Sequence, residues 1–461
     1  MDRIENVSRV ACLVVALLVS GAANAADRFT EICEKHAKIL VDAGMTPGLV
    51  VGILVDGERE YHGFGVYTEG DGRVPDERTI FEIGSITKTF TATLLAEAQV
   101  RGELAIDDPL GEHLPEGIEP PMRDGAQPTI GQLSDHTSGF AALPTNFGMT
   151  SMDDPYAEYN EEKLWAFVDG HRLGRAPGEW YVYSNLAAGL LGTIVSRAAD
   201  STFGELVAAR ITGPLGMRDT IERLDDEQSA RFAPPHHAGG APATTWHFDA
   251  LAGAGSLRST AADMLTWAEA QIDPGATPLA GSIPLTHTPR APLPDSPAKI
   301  ALGWHVAGDG STLFHSGGTN GYRTALFVNP EHGVAVIVLA NATEERVSAV
   351  SEKIIQAVFG LDPQPVPVEP AVVLDAAQLG RLAGKYGHGA LGMYVVTVED
   401  GKVMAKLGPQ PAFEIVPASE SEFFYMVVDA QLEFDLDGES PASAVTLFQS
   451  GAEFRFERLD D

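Results

Sequence analysis

Two apolar runs, residues 49–55 and 334–339, stand at opposite ends of the first three quarters of the chain and constrain its fold most. The first leads through Asp56-Gly57 into a second β-rich run at 61–66, the pattern of a hairpin. The second follows a Pro330-Glu331-His332-Gly333 turn, with further strand-like runs before it at 312–315 and 324–328. Between the two ends the periodicity is mostly helical: from Ser85 to near Gly102, then 129–133, 186–199 and 259–271, the last with Ser259 or Thr260 as N-cap. A helix over 31–43, closed by Gly44, precedes the first hairpin, and an amphipathic helix over 344–359, capped by Gly360, follows the last strand. A mixed antiparallel sheet whose halves come from both ends of the segment satisfies this order. The expected class is α/β (α+β), a central antiparallel sheet with a helical insert.

At 461 residues a second domain is expected. Residues 361–372 form a stiff linker with prolines at 363, 365, 367 and 370. Beyond it, over 373–461, the runs 394–398, 402–407, 422–428, 432–436, 444–449 and 453–458 alternate, with Asp400-Gly401 and Asp437-Gly438 at turns. They predict a small antiparallel barrel or sandwich. Residues 107–128 read as loop, the irregular stretch around Pro144, Asn146, Gly148 and Pro155 as a surface flap, and the proline-rich 274–297 carries no periodicity.

The net charge of −33, from 64 acidic and 31 basic side chains, excludes a basic stripe for nucleic acid and disfavours anionic lipid. At the N-terminus, Arg3 and Arg9, an apolar run over 10–19 and Ala23-x-Ala25 read as a secretory signal over residues 1–25, cut after Ala25. The expectation is a periplasmic or secreted protein whose first domain spans 27–360. The run is too short to span a membrane and Cys12 lies outside a lipidation box, so no stable membrane anchor is expected. Cleavage leaves Cys33 alone, without an internal disulfide.

The chemistry centres on Gly84-Ser85-Ile86-Thr87-Lys88. If Ser85 opens a helix, Ser85 and Lys88 share one face about a turn apart, and the helix N-terminus favours a developing oxyanion. Serine needs a base to become a nucleophile, and lysine serves only where burial and neighbours lower its pKa from about 10.4. Tyr183-Ser184-Asn185 offers a phenol and an amide two positions apart. His315-Ser316-Gly317-Gly318-Thr319 lies on a β-rich run whose glycines admit close approach, and its N–H groups are placed to complete an oxyanion hole with that of Ser85. A second match, Ser296-Pro297-Ala298-Lys299, sits in the proline-rich stretch without a helix and reads as chance. His136 reads as a hydrogen-bonding scaffold near the site. His236, His237 and His247 lack carboxylates at ligand spacing and read as loop residues.

Ser-x-x-Lys, Tyr-x-Asn and a late (Lys/His)-x-Gly, in that order, resemble the penicillin-recognising serine hydrolases: class C β-lactamases, D,D-carboxypeptidases, D-aminopeptidases and family esterases. Asp135-His136-Thr137-Ser138-Gly139, Gly213-Pro214-Leu215-Gly216-Met217 and Gly317-Gly318-Thr319-Asn320-Gly321-Tyr322 extend the likeness over roughly residues 29–359, and the last domain resembles a lipocalin-like extension. The resemblance implies a β-lactamase/D,D-peptidase-like fold and an acyl-Ser85 intermediate. Lys88 would be the proton partner, Tyr183 the general base or acid, and Asn185 the holder of the substrate amide. Ser85 and Gly318 N–H groups would form the oxyanion hole, and His315, Gly317 and Gly318 would line the substrate. The substrate would be a small molecule or peptide, with no metal or organic cofactor. His315 departs from the lysine usual in β-lactamases, which puts a firm hold on a substrate carboxylate in question. Arg323 is a candidate for the missing positive charge. An esterase of the same fold, with an apolar cleft around Phe147, Trp180 and Tyr322, is the alternative. A penicillin-binding sensor that acylates without turnover is the rival from another class. An oligomer is left open.

Overall fold

The computed structural model describes residues 25–148, 153–294, 296–368, 374–399, 401–425, 430–449 and 452–459. Residues 1–24 of the expected signal, 369–372 of the expected linker, Asp400 of the expected turn and 426–428 of the expected strand lie outside the described residues. Among the described residues no helix is long and apolar enough to cross a membrane.

The first hairpin is β1 (Gly48–Val55) and β2 (Glu58–Gly65). Its turn residues Asp56 and Gly57 both have positive φ, 52° and 83°, the primed-turn geometry that matches the twist of paired strands. Within the insert, β3 (Phe81–Glu82) pairs with β4 (Arg258–Ser259) in a separate ribbon. There follow β5 (Ala291–Pro292), β6 (Lys299–Ile300), β7 (His305–Val306), β8 (Leu313–Gly318), β9 (Arg323–Asn329) and β10 (Val334–Ala340). The main sheet runs β2-β1-β10-β9-β8-β7-β6-β5, antiparallel throughout. The two apolar runs are neighbours at its centre, Leu49 opposite Ala340 and Val55 opposite Val334.

Both central strands are buried on both faces, which is why their sequences do not alternate. Among the helices are α1 (Ala25–His36), α2 (Thr87–Arg101), α3 (Ile130–Ser134), α4 (Asn185–Ala198), α5 (Ala261–Ile272) and α6 (Arg346–Val358); α5 packs on β1 and β10, and α6 on β9 and β10. On one face Leu49, Val51, Ile53, Val336 and Val338 pack with Cys33 of α1 and Val350 and Ile354 of α6. On the other, Val50, Leu54, Ile337 and Leu339 join the core of the insert, with Phe90 and Trp267 stacked 4.3 Å apart. The N-terminal helix expected over 31–43 is instead two pieces, α1 and Lys38–Asp42, parted at Ala37. The 274–297 stretch, which shows no periodicity, holds a short helix at Ile283–His287 and the edge strand β5. Elements this short present too few turns or alternations to register in sequence.

The C-terminal unit is a closed barrel of eight strands. They are β11 (Gly384–His388), β12 (Gly392–Glu399), β13 (Lys402–Leu407), β14 (Phe413–Pro417), β15 (Glu422–Tyr425), β16 (Gln431–Phe434), β17 (Ala444–Gln449) and β18 (Ala452–Arg458). Each pairs with the next, and Tyr386 opposite Arg458 closes β11 onto β18. Closure resolves the barrel-or-sandwich alternative and removes both sheet edges. Burial alternates along β13 and β18, and Tyr386, Tyr394, Phe434, Phe454 and Phe456 are among the buried aromatics. β11 and β14 are absent from the sequence expectation. β11 reads Gly-Lys-Tyr-Gly-His, with Tyr386 its one buried residue. The linker is held at its start, where Lys35 pairs with Asp362 and Val366 joins the core beneath α1 and α6.

Candidate active site

Ser85 stands in a single 3₁₀ turn, Gly84–Ile86, and α2 begins only at Thr87. With three residues per turn, positions 85 and 88 eclipse more closely than an α-helix would bring them. Lys88 Nζ donates to Ser85 Oγ at 2.9 Å and to the Ala254 carbonyl at 2.7 Å. Both side chains are buried, and the ammonium lies 4.8 Å from the centre of the Tyr183 ring. Gly84 has φ 49°, and a Cβ there would stand 2.7 Å from the Gly318 nitrogen, so glycine is what lets the nucleophile turn lie against β8.

The end of β8 is shaped for the same approach. Thr319 N–H donates to the Tyr322 carbonyl at 3.1 Å, closing the β8–β9 hairpin. Hydrogen-bonded and open pairs alternate in an antiparallel ladder, so Gly318, opposite Arg323, turns its N–H away from β9. β7 pairs only with Leu313 and Phe314, so from His315 to Gly318 this side of β8 is an open edge facing the Ser85 turn.

Tyr183 precedes α4 in an extended segment whose N-cap is Ser184. His136, with φ 60°, holds that segment from both sides: its carbonyl accepts from Val182 N–H at 2.9 Å and its Nδ1 accepts from Ser184 N–H at 3.2 Å. The two rings, His136 and Tyr183, are 4.6 Å apart. Asn185 opens α4, and its Nδ2 donates to the Tyr156 hydroxyl at 2.9 Å. Its Oδ1 is buried without a protein partner among the described residues.

His315 is 1 % exposed, and its Nδ1 donates to the Ser316 carbonyl at 2.6 Å. Its ring is 6.2 Å from Tyr183 and 5.2 Å from His305. Burial, with His305 and Lys88 nearby, pushes its pKa well below the ordinary value, so the imidazole is neutral. Burial and Lys88 likewise depress His136, and burial takes His305 down to about 3. The three histidines therefore add no positive charge to this wall.

Arg323 does not face the cleft as a free cation. Its Nε and Nη2 pair with Glu345, Nη1 donates to Thr319 O (2.9 Å) and Tyr322 O (3.0 Å), and Nη2 donates to Tyr425 O of the barrel at 3.3 Å. All five guanidinium N–H groups are engaged. Tyr322 is equally removed, buried with its hydroxyl on the Ala233 carbonyl, and Phe147 packs beneath Tyr156 and Tyr159. Of the trio expected to widen an apolar cleft, only Trp180 is partly exposed.

Ser85, Lys88, Tyr183, Asn185, His315, Gly317 and Gly318 thus converge around one open strand edge. Sequence reading missed Tyr156, hidden in the irregular flap, and His305, on a strand two residues long. No periodic signal marks either. His236 bonds Asn341 O and Thr68, and His247 pairs with Asp154; both are scaffold contacts. Among the described residues, three or more potential metal-ligand atoms gather within 4.8 Å of one another only at Asp108, Glu112 and His113.

A family described as Beta-lactamase matches residues 35–359. The D-alanyl-D-alanine-carboxypeptidase/endopeptidase AmpH of Escherichia coli (strain K12) is 26% identical over 326 residues, covering 67% of this chain and 83% of the relative. Penicillin-binding protein 4* of Bacillus subtilis (strain 168) is 25% identical over 427 residues, covering 85% of this chain and 90% of the relative. A class C beta-lactamase structure superposes with a TM-score of 0.64 at 20% identity, over 75% of this chain and all of the other, a likeness of fold. Matched over most of its length, the chain belongs to the beta-lactamase family and is a serine hydrolase of that family.

Proposed function

We propose that the enzyme works through an acyl-Ser85 intermediate on D-amino-acid peptide amides or β-lactams. The observation that carries this reading is the Lys88 ammonium set between Ser85 Oγ and the Ala254 carbonyl, beside the Tyr183 ring. With the Lys88–Tyr183 pair one proton short of ammonium plus phenol, Ser85 Oγ attacks the scissile carbonyl as its proton passes to the vacant position on that pair. The oxyanion forms between the N–H groups of Ser85 and Gly318, the latter turned away from β9 toward the open edge. Collapse expels the amine, which takes the proton back from the same pair. Water then attacks the ester, and Ser85 is regenerated. An extended substrate lies along the open edge of β8 as an added strand, with Asn185 Oδ1 accepting from its amide N–H.

A second reading, hydrolysis of small acyl esters, is favoured by one feature. His315 is neutral and Arg323 has no donor to spare, so neither fixes a substrate carboxylate with charge. The names of the relatives, a D,D-carboxypeptidase/endopeptidase and a penicillin-binding protein, support the first. Export belongs to the same proposal. The basic, then apolar N-terminal segment ending at Ala25 would deliver the enzyme to the periplasm or beyond.

Intact-mass spectrometry over time, with a D-Ala-D-Ala peptide, a β-lactam and a p-nitrophenyl ester, tests the reading. A mass increase at Ser85 that clears is expected with the peptide or β-lactam. Adducts from the ester alone would transfer the function to the second reading, and an adduct that never clears would make the protein a sensor.

A further inference from the structure

We propose that Arg323 is a positioning residue through which docking of the C-terminal barrel sets the orientation of the Gly318 N–H. The inference rests on the oxyanion role given to Gly318 above and adds a control that no residue of the cleft itself provides.

The guanidinium lies directly against Gly318. A Cβ added there would stand 2.8 Å from Arg323 Nη1, 3.0 Å from Cζ and 3.2 Å from Nε, so the guanidinium fills the space a side chain at 318 would take. Arg323 is also the cross-strand partner of Gly318, and its Nη1 carries the Thr319 and Tyr322 carbonyls that end the hairpin. Nη2 reaches the carbonyl of Tyr425, the last residue of β15. Glu345, at the N-cap position of α6, takes what remains. One rigid planar group therefore joins three bodies: the tip of the catalytic strand, the start of α6 and the barrel.

The side chains of Arg323 and Glu345 are 4 % and 5 % exposed, so a donor that loses its carbonyl has little water to turn to. A shift of the barrel that withdraws Tyr425 O must rotate the guanidinium, and rotation disturbs the bonds to Thr319 and Tyr322 with it. The barrel approaches the same rim elsewhere: Lys402 is an electrostatic neighbour of Asp153, and Glu414 of His237. Asp153 is tied through its carbonyl to Thr244, and Thr244 to Asn320 beside the hairpin tip. Displacements of about 1 Å far from the reacting atoms are enough to cost a rate of order 10²-fold.

The test uses the full chain carrying Arg323→Gln, Arg323→Lys or Tyr425→Ala, with four readouts: the rate of Ser85 labelling by a fluorophosphonate, the Kd of phenylboronic acid, KM, and amide exchange over residues 313–323. Arg323→Gln is expected to slow labelling and weaken the boronate together by about tenfold or more, with KM within about twofold and exchange at the hairpin tip raised. Lysine restores part of the loss, and Tyr425→Ala, which keeps the carbonyl but removes the buried ring that seats it, shifts the same quantities in the same direction by about threefold. Wild-type labelling rate, boronate affinity and exchange in folded Arg323→Gln overturn the proposal. So does a Tyr425→Ala variant that raises exchange over residues 422–425, showing the carbonyl loosened, yet leaves labelling, boronate affinity and hairpin-tip exchange at wild-type values, since the barrel then has no hold on the site. If the glutamine variant does not fold, the other two decide by the same criteria. Failure of the wild type itself to label at Ser85 would refute the acyl-Ser85 reading, while the exchange measurement still judges the barrel coupling.

Discussion

Two buried basic side chains, Lys88 beside Ser85 and Arg323 beside Gly318, do opposite things. Lys88 is 2 % exposed and Arg323 is 3 % exposed, so burial does not distinguish them. What differs is where their donors go. Lys88 holds the nucleophile oxygen and one carbonyl; Arg323 holds a carboxylate and three carbonyls. A compact ammonium with a reactive partner can exchange protons, whereas a guanidinium stays charged and, fully engaged, serves as a fastener. Lys88, at the nucleophile, therefore belongs to the chemistry of the site, and Arg323, behind Gly318, to its mechanics.

The strongest attack on this division is at Ser85 and Lys88. Ser85→Ala is expected to abolish labelling by a fluorescent penicillin or a fluorophosphonate, and adduct on any other residue would move the chemistry elsewhere. Lys88→Met is expected to cut acylation on the order of 10⁴-fold while leaving the melting temperature near wild type. Tyr183→Phe, which keeps the ring under the ammonium but removes the proton carrier, should cost roughly 10²–10³-fold in kcat. A loss in KM alone would make Tyr183 a binding residue.

The histidine wall can be probed by pH. His136, His305 and His315 have folded-state pKa values depressed by burial, so the unfolded chain binds their protons more readily. Their neutral burial costs nothing above the unfolded value of about 6.5, and stability falls as pH drops below it, by roughly 1.4 kcal/mol per pH unit for each histidine. For His305 the loss continues toward its folded value of about 3. Unfolding in urea across pH 7 to 4 should show this slope, shallower in His305→Asn.

A smaller effect sharpens the role of the neutral wall. His315→Lys should raise the activity ratio of carboxylate-bearing β-lactams over simple esters by about tenfold, the worth of one charged hydrogen bond. An unchanged ratio would remove His315 from carboxylate selection. Smallest of all, Tyr156→Phe frees the Asn185 amide from its hydroxyl partner and is expected to raise KM by about threefold with little change in kcat.

Much of this was legible in the sequence, for identifiable reasons. The central strands announce themselves because they are long and apolar, and Ser-x-x-Lys with Tyr-x-Asn fixes which side chains meet. Asp56-Gly57 marks its turn through the left-handed backbone that both residues adopt. Arg323 was not legible. One arginine five positions past a glycine looks the same whether its guanidinium reaches the cleft or the barrel, because the partners that decide it, Glu345 and Tyr425 O, come from other elements. The 3₁₀ turn at Ser85 was masked too, since a Ser-x-x-Lys spacing suits both helix types. β11 lacks a strand signal of its own, Gly-Lys-Tyr-Gly-His having one buried residue; its pairing with β12 and with β18 makes it a strand.

The pairing of β1 with β10 also carries a cost in time. A ribosome adding roughly 5–20 residues per second finishes β1 well before β10 exists, an interval of tens of seconds. Throughout it, the run from Leu49 to Val55 is an uncharged, β-prone segment whose own hairpin partner covers just one of its edges. The domain is thus born with its stickiest segment first and that segment's cover last. Its yield in the cell will be set by whatever shields those seven residues until the last central strand arrives.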